Sequence, residues 1–202
     1  MNALLHLTRW IDAASARLGR LAAWAVLLAC FISAGNALVR YGLDYSSNAW
    51  LEIQWYLFAG CVMLGAPEVL RLNEHVRVDL IYSRLPARAQ ATIDLLGLCI
   101  FLVPVMAYFD VLSWQFFVTK LTTGLQPDET PAALGWPAFA WRLLTSGEMS
   151  ENAGGLIRWP AALLLPLGFS MVVLQGLAEI VRRVAWLMRR IELDTHYERP
   201  LQ

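Results

Sequence analysis

The residue best placed to carry chemistry within a hydrophobic stretch is Asp110, an acidic side chain in an otherwise apolar segment. An ionisable group at membrane depth is costly to bury and often marks a proton or ion path. Two interpretations follow. Asp110 is either part of a proton or cation pathway, or a hydrogen-bonded acid that packs against a neighbouring helix or lies near an interface. A transport pathway needs several charged or polar groups at membrane depth, and Asp110 is a single one. The second interpretation is therefore favoured, and the first stays open.

The other residue types that catalyse reactions or bind cofactors are not spaced for either purpose. His6, His75 and His196 lie outside the apolar stretches, whereas a membrane subunit that binds b-type haem needs histidine ligands at membrane depth. The sequence has no Walker A, G-x-S-x-G or H-E-x-x-H motif. The three cysteines form no C-x-x-C pair and are expected to pack as small apolar residues. We therefore predict that the chain is not an enzyme and binds no metal or cofactor of its own.

The composition is typical of a membrane protein. Of the 202 residues, 58% are hydrophobic and 16% are charged, whereas soluble domains average about 45–50% apolar and about 25% charged residues. Sixteen basic residues balance sixteen acidic ones, so the chain lacks the basic surface that nucleic-acid binding requires. The apolar stretches are long enough for four membrane crossings, each of which takes about 20 residues.

These stretches predict an all-α integral membrane protein with four transmembrane helices in a single domain. Residues 3–19 place their apolar side chains on one helical face, which predicts an amphipathic helix lying in the membrane interface before the first span. The spans are expected at 21–40, 50–70, 91–118 and 159–181, with a connection at 71–90, a loop at 119–158 and a tail at 182–202. Pro104 is the expected kink in the third span and Pro166 in the fourth.

The basic residues are distributed unequally between the two sides of the predicted spans. Twelve of the sixteen lie in the N-terminal segment, the 71–90 connection and the tail. Because cytoplasmic loops carry the excess of Lys and Arg, both termini and this connection are expected in the cytoplasm, and the 119–158 loop outside. Within that loop, Pro127, Pro131 and Pro137 argue against one continuous helix over 127–137.

The most specific part of the sequence runs from the second span into the connection that follows it. Its features are Arg40-Tyr41, Trp50-Leu51-Glu52, Tyr56-Leu57-Phe58, Gly65-Ala66, His75-Val76-Arg77-Val78-Asp79 and Leu85-Pro86, joined later by Ser150-Glu151-Asn152 and Arg158-Trp159-Pro160. In these residues the chain resembles the small membrane subunit, the DctQ-like component, of tripartite ATP-independent periplasmic (TRAP) transporters. The resemblance covers roughly residues 20–190.

The resemblance implies a function and a set of partners in the bacterial inner membrane. A DctP-like periplasmic binding protein delivers an organic acid, usually a carboxylate, and a large DctM-like subunit imports it with sodium by an elevator-like movement. The small subunit is a fixed scaffold beside the static part of the large one. This chain would then bind no substrate, with sodium on the large subunit and phospholipid allowed at the interface. The open alternative is a self-sufficient, homo-oligomeric transporter or channel that uses Asp110.

Ten residues are candidates for contacts with these partners. The candidates for a partner interface are Glu52, Gln54, Trp55, His75, Arg77, Asp79 and Asp110, and those for docking on the periplasmic side are Asp44, Glu148 and Glu151. Arg77 and Asp79 are expected to pair with each other, with the next helix or with the large subunit. Contact with lipid headgroups is the alternative for these two residues.

Small and amide side chains within the spans are expected to serve helix packing. The small residues are Ala34, Gly35, Gly60, Gly65, Ala66, Gly97, Gly168 and Gly176. They would allow helices to approach closely. The amides, Asn36, Gln54, Gln115 and Gln175, would bond either within the chain or across to a partner.

Overall fold

The computed structural model describes residues 2–45, 47–74, 82 and 84–189. Within these residues the chain is helical apart from its loops and one isolated antiparallel bridge between Met149 and Ile157. The helices are α1 (Asn2–Leu43), α2 (Asn48–Leu72), α3 (Ala87–Gly97), α4 (Val103–Thr122), α5 (Pro131–Leu134), α6 (Trp136–Thr145) and α7 (Trp159–Leu187), with a π-helical turn at Leu98–Leu102 between α3 and α4. Four helical runs are long and apolar enough to cross a membrane: α1, α2, the run Ala87–Thr122 and α7. The prediction of an all-α fold with four spans is confirmed.

α1 runs without a break through residue 20, where a surface helix was expected to give way to the first span. Its 42 residues correspond to about 63 Å of helix, about twice the thickness of the hydrocarbon core. The amphipathic segment at 3–19 is therefore the first part of the same helix and not a separate one. The physical reason is tertiary packing, because Ser15 is buried against α7 and Gly19 lies against Glu68 of α2.

The third span contains the π-helical turn directly before Pro104. Proline has no N–H to donate to the carbonyl four residues earlier, and its ring clashes with that carbonyl in a regular α-helix. A single wider turn accommodates both effects. The distortion expected at Pro104 takes this form.

α7 is the central helix and packs against α1, α2 and the third span. Two of its glycines allow neighbouring residues to approach closely. A Cβ at Gly168 would lie 2.7 Å from the Cβ of Met63 in α2, and a Cβ at Gly176 would lie 2.9 Å from Leu102 in the π-helical turn. These two residues serve close packing as predicted, whereas Gly35 and Gly97 face open space within the chain.

The outward surfaces of the spans are apolar and uncovered. Exposed side chains include Trp24 and Phe31 on α1, Trp55 and Phe58 on α2, and Phe101 and Tyr108 on the third span. Exposed apolar side chains in this number belong in lipid or against another membrane protein.

The 119–158 loop contains two short helices rather than one, as its prolines predict. The Thr130 side chain accepts a hydrogen bond from the Ala133 amide and caps α5. Gly135, with φ of 76°, separates α5 from α6. Only glycine adopts this backbone conformation without strain.

Candidate functional site

Five charged side chains from three helices form one cluster near the carboxyl end of α7. This Glu179 network consists of Asp12 on α1, Asp94 on α3, and Glu179, Arg182 and Arg183 on α7. Arg182 donates to Asp12 (Nη1 to Oδ2, 2.6 Å) and to Glu179. Arg183 donates to the other Glu179 oxygen at 2.6 Å and to Asp94 at 3.0 Å. Glu179 thus bridges the two arginines, and each arginine reaches a different neighbouring helix.

Neutral polar groups extend the network. Ser15 Oγ donates to Gln175 Oε1 at 2.8 Å, and Gln175 Nε2 donates to Asp12 Oδ1 at 3.0 Å. The Ser15 and Gln175 residues are both fully buried. The Tyr82 hydroxyl donates to Asp94 at 2.9 Å. These largely buried side chains therefore satisfy one another across α1, α3 and α7, as buried polar groups must.

Two carboxylates at the opposite end of the bundle tie the 119–158 loop to the helix ends. We call this the Glu52–Glu148 network, which comprises Glu52, Lys120, Glu148, Ser150, Asn152 and Arg158. Glu52, one turn into α2, accepts hydrogen bonds from Ser150 Oγ, from Asn152 Nδ2 at 2.8 Å and from the Leu156 amide at 2.7 Å. A residue near the start of α2 thereby fixes the segment that leads into α7.

Glu148 makes the second half of this network. Its two oxygens pair with Lys120 Nζ at 2.5 Å and Arg158 Nη1 at 2.9 Å. Backbone hydrogen bonds connect the same three residues, since the Glu148 amide donates to the Lys120 carbonyl and the Arg158 amide donates to the Glu148 carbonyl. The hydrogen bond from Lys120 lowers the pKa of Glu148 below its ordinary value; partial burial opposes this shift and Arg158 adds to it. The ends of α4 and α7 are joined through one ionised carboxylate.

Asp110 has a partner within the chain. Ser170 Oγ on α7 lies 2.9 and 3.0 Å from the two carboxylate oxygens of Asp110 on α4, within donating distance of either. The Asp110 carboxylate therefore makes a helix-packing contact of the kind that the second interpretation requires.

The other predicted contact residues divide into two groups. Trp55 is 78% exposed on α2, and Asp44 and Glu151 are exposed at the end that carries the Glu52–Glu148 network. Gln54 is half-buried. These residues stay candidates for partner contacts, whereas Glu52 and Glu148 are engaged by their own chain. The candidates His75, Arg77 and Asp79, with the pairing expected for the last two, lie outside the described residues.

The Glu179 network is the feature that the sequence reasoning missed. A signal was present within α7, because Gln175, Glu179, Arg182 and Arg183 follow the spacing i, i+4, i+7 and i+8, which places them on one helical face. Nothing in that spacing identifies Asp12 as a partner, since it lies 170 residues from Arg182. Gln175, which was expected to bond either within the chain or to a partner, bonds within it.

No group of three or more His, Cys, Asp and Glu side chains is arranged to hold a metal ion in the described parts of the chain. Next to the Glu179 network lies a groove of about 570 Å³ between the third span, α7 and the end of α2. Its walls are mainly apolar and include Leu70, Leu98, Phe101, Leu102, Val105 and Met106.

Fold and polar networks together define a multi-pass helical membrane protein whose spans are joined by internal polar contacts. A model of the DctQ component of tripartite ATP-independent periplasmic transporters matches residues 29–185, which is most of the chain. The chain belongs to this family, and the resemblance noted in the sequence is confirmed. Searches of curated proteins and of solved structures gave no match.

Family membership makes the chain a component of a TRAP transporter and a multi-pass protein of the inner membrane. It also implies association with a large DctM-like subunit and a substrate-binding protein. The family is one of transporter components and not of enzymes.

Proposed function

We propose that the chain is the fixed small subunit of a sodium-coupled, binding-protein-dependent importer of an organic acid, of the carboxylate class. It packs against the static part of a large elevator-type subunit, which binds both sodium and substrate, and phospholipid fills gaps between the two proteins. Both termini face the cytoplasm, so the 119–158 loop faces the periplasm and the binding protein.

The observation that carries the proposal is the pairing of charged side chains within and between the long helices of this chain. Glu179 is shared between two arginines, and Asp110 is held by Ser170. A group that takes up and releases an ion in every transport cycle has to exchange its partners. These contacts instead join one helix to another, which suits a subunit that keeps its shape while its partner moves.

The apolar surface of α2 suits contact with a membrane partner. Trp55 and Phe58 are 78% and 68% exposed and lie one turn apart, so their side chains are neighbours on the helix. Aromatic side chains with this exposure are typical anchors of protein interfaces.

Reconstituted uptake tests the proposal. Proteoliposomes would contain the large subunit with or without this chain and would receive the binding protein, a sodium gradient and a panel of labelled organic acids. We expect uptake only with both membrane subunits present, and none by this chain alone. Transport by this chain alone would overturn the scaffold proposal and favour the alternative that uses Asp110, for which Asp110→Asn is the next variant.

Labelling of single cysteines tests the orientation. A cysteine at Glu151 should react with a membrane-impermeant maleimide added to intact spheroplasts, whereas one at Arg189 should react only after lysis. The reverse pattern would contradict the proposed orientation, which rests on the excess of basic residues at the termini and in the 71–90 connection.

A further inference from the structure

The short helix α6 presents an apolar face that its own chain does not cover. Trp136, Ala140 and Leu144 are spaced four residues apart and lie in a row on the helix, with Trp141 beside them. Trp136 is 74%, Trp141 72% and Leu144 47% exposed. We call these four residues the α6 face. Two tryptophan side chains with this exposure are expected to contact lipid or another protein and not water.

The opposite side of α6 is turned towards the loop. Arg142 projects away from the α6 face and its Nε donates to Glu129 Oε1 at 2.5 Å. Ala138, one turn before Arg142, shares that side. Phe139 and Leu143 are half-buried. The rotation of the helix is thereby fixed, with a charged side held by the loop and an apolar side left free.

Contacts with two spans fix the height of α6 along the bundle. Gly124, just beyond α4, lies so close to Ser146 that a Cβ there would be 1.5 Å from the Ser146 carbonyl oxygen. The Trp159 indole, at the start of α7, donates to the Leu144 carbonyl at 2.9 Å. The carboxyl end of α6 therefore sits at the level where α4 ends and α7 begins.

The surface of the bundle changes from apolar to charged at that level. Large apolar side chains stay exposed on α4 up to Val118, since Phe116 and Val118 are 46% and 48% exposed. Lys120, which pairs with Glu148, follows two residues later, about 3 Å further along the helix. The exposed apolar side chains and the charged pair lie within one helical turn of each other. Such a change from apolar to charged residues is typical of the place where a span leaves the membrane.

We propose that α6 is a membrane-surface helix whose α6 face lies in the headgroup region of the lipid leaflet at this end of the bundle. An amphipathic helix of this kind inserts its apolar side about 5–10 Å into the boundary between headgroups and acyl chains. Tryptophan prefers this region because its ring is apolar and its N–H needs a polar partner. The height of α6 and the tryptophans favour lipid over a protein partner, because a lipid boundary has to exist at this level. In the proposed orientation this leaflet is the periplasmic one.

Two alanines on α6 provide a matched test. Ala138 and Ala140 are both exposed and two residues apart, but Ala140 belongs to the α6 face and Ala138 to the Arg142 side. Single cysteines at these positions, with Cys30, Cys61 and Cys99 replaced by serine, would carry nitroxide labels in proteoliposomes of phosphatidylethanolamine and phosphatidylglycerol. Electron paramagnetic resonance then measures collisions with oxygen, which partitions into lipid, and with a nickel chelate, which stays in water. Circular dichroism checks that each labelled chain is folded.

We expect the label at Ala140 to collide mainly with oxygen and the label at Ala138 mainly with the nickel chelate. Equal access of the nickel chelate to both labels would overturn the proposal. A label at Ala140 that meets water in the isolated chain and becomes shielded when the large subunit or the binding protein is added would also overturn it, in favour of a protein-docking surface. Shielding from both reagents in the isolated chain would show burial against another part or copy of the chain, which equally contradicts a lipid contact.

Discussion

The Glu179 network joins three helices through side chains alone, whereas the Glu52–Glu148 network joins a loop to helix ends through side chains and backbone groups together. In the first, the side chains of Glu179 and Arg183 are only 11% and 14% exposed. In the second, Glu52 accepts one of its hydrogen bonds from the amide of Leu156. The chain therefore uses charge pairing in two physically different settings.

The difference concerns what each network stabilises. Charges that are mostly removed from water are strongly destabilising when a partner is lost, so the Glu179 network should govern the packing of whole spans. Pairs near water contribute less, so the Glu52–Glu148 network should govern the order of one loop. Variants in the two networks should therefore differ in the size of their effect on stability and in how much of the chain they affect.

The largest effect is expected for Glu179→Ala. This change leaves Arg182 and Arg183 without their shared partner in a poorly solvated region and should lower the free energy of unfolding by about 2–4 kcal/mol. Thermal unfolding of the purified chain in detergent measures it. The matched control is Glu74→Ala, at an exposed glutamate. Equal stability of the two variants would show that the Glu179 network is not what holds the spans together.

Next in size is Gly168→Ala, which tests the packing of α7 on α2. The added methyl would lie 2.7 Å from Met63 Cβ and 2.8 Å from the Met63 carbonyl oxygen, so the helices must separate, at a cost of about 1–3 kcal/mol. Gly35→Ala is the control, because nothing lies within 4 Å of a Cβ there. It should stabilise the chain by up to about 1 kcal/mol. Similar melting temperatures for the two variants would contradict the close approach.

A smaller and local effect is expected for Glu52→Ala. The change removes an acceptor from Ser150, Asn152 and the Leu156 amide, each hydrogen bond contributing on the order of 1 kcal/mol. Hydrogen exchange followed by mass spectrometry should show faster exchange over 150–156 and unchanged exchange within α7. Glu151→Ala, at an exposed neighbour, should leave both regions as they are. Faster exchange throughout α7 would mean that this network also holds the spans.

The smallest effect is a response to pH at Glu148. A carboxyl group whose pKa is lowered in the folded state stabilises it above the ordinary pKa, and this contribution is lost as pH falls through the lowered value. The ordinary value is 4.5, so a nitroxide at Met149 should keep its mobility from about pH 7 to about pH 5 and gain mobility at lower pH. In Glu148→Gln the label should be mobile throughout. A transition near neutral pH would assign the control of the loop to another group.

The sequence predicts four spans because hydropathy is a local property. Each predicted span falls within one of the four helical runs that are long and apolar enough to cross a membrane, and the irregular third span followed from Pro104. The continuity of α1 was not predictable in this way, since it depends on partners such as Gln175 that contact Ser15 from the far end of the chain.

The polar networks show the same limit. The face shared by Glu179, Arg182 and Arg183 is a periodic pattern and was available from the sequence. The contact of Glu52 with Leu156 spans 104 residues and depends on how a loop folds back over the helix ends. No local pattern encodes such a contact, so the sequence alone predicts Glu52 and Glu148 as contacts for partners.

The central claim is that this subunit keeps its shape while the transporter works, and a disulfide between α1 and α2 tests it most directly. A Cβ at Gly65 would lie 3.5 Å from the Cβ of Ala22, within the range of about 3.5–4.5 Å that disulfides adopt. Uptake by the reconstituted transporter would be measured with the Ala22→Cys, Gly65→Cys chain, oxidised and reduced, in a background in which Cys30, Cys61 and Cys99 are serine. Ala22→Cys alone controls for oxidant damage. We predict equal uptake rates in the two states, whereas loss of uptake on oxidation and recovery on reduction would show that α1 and α2 move against each other during transport and would contradict a fixed scaffold.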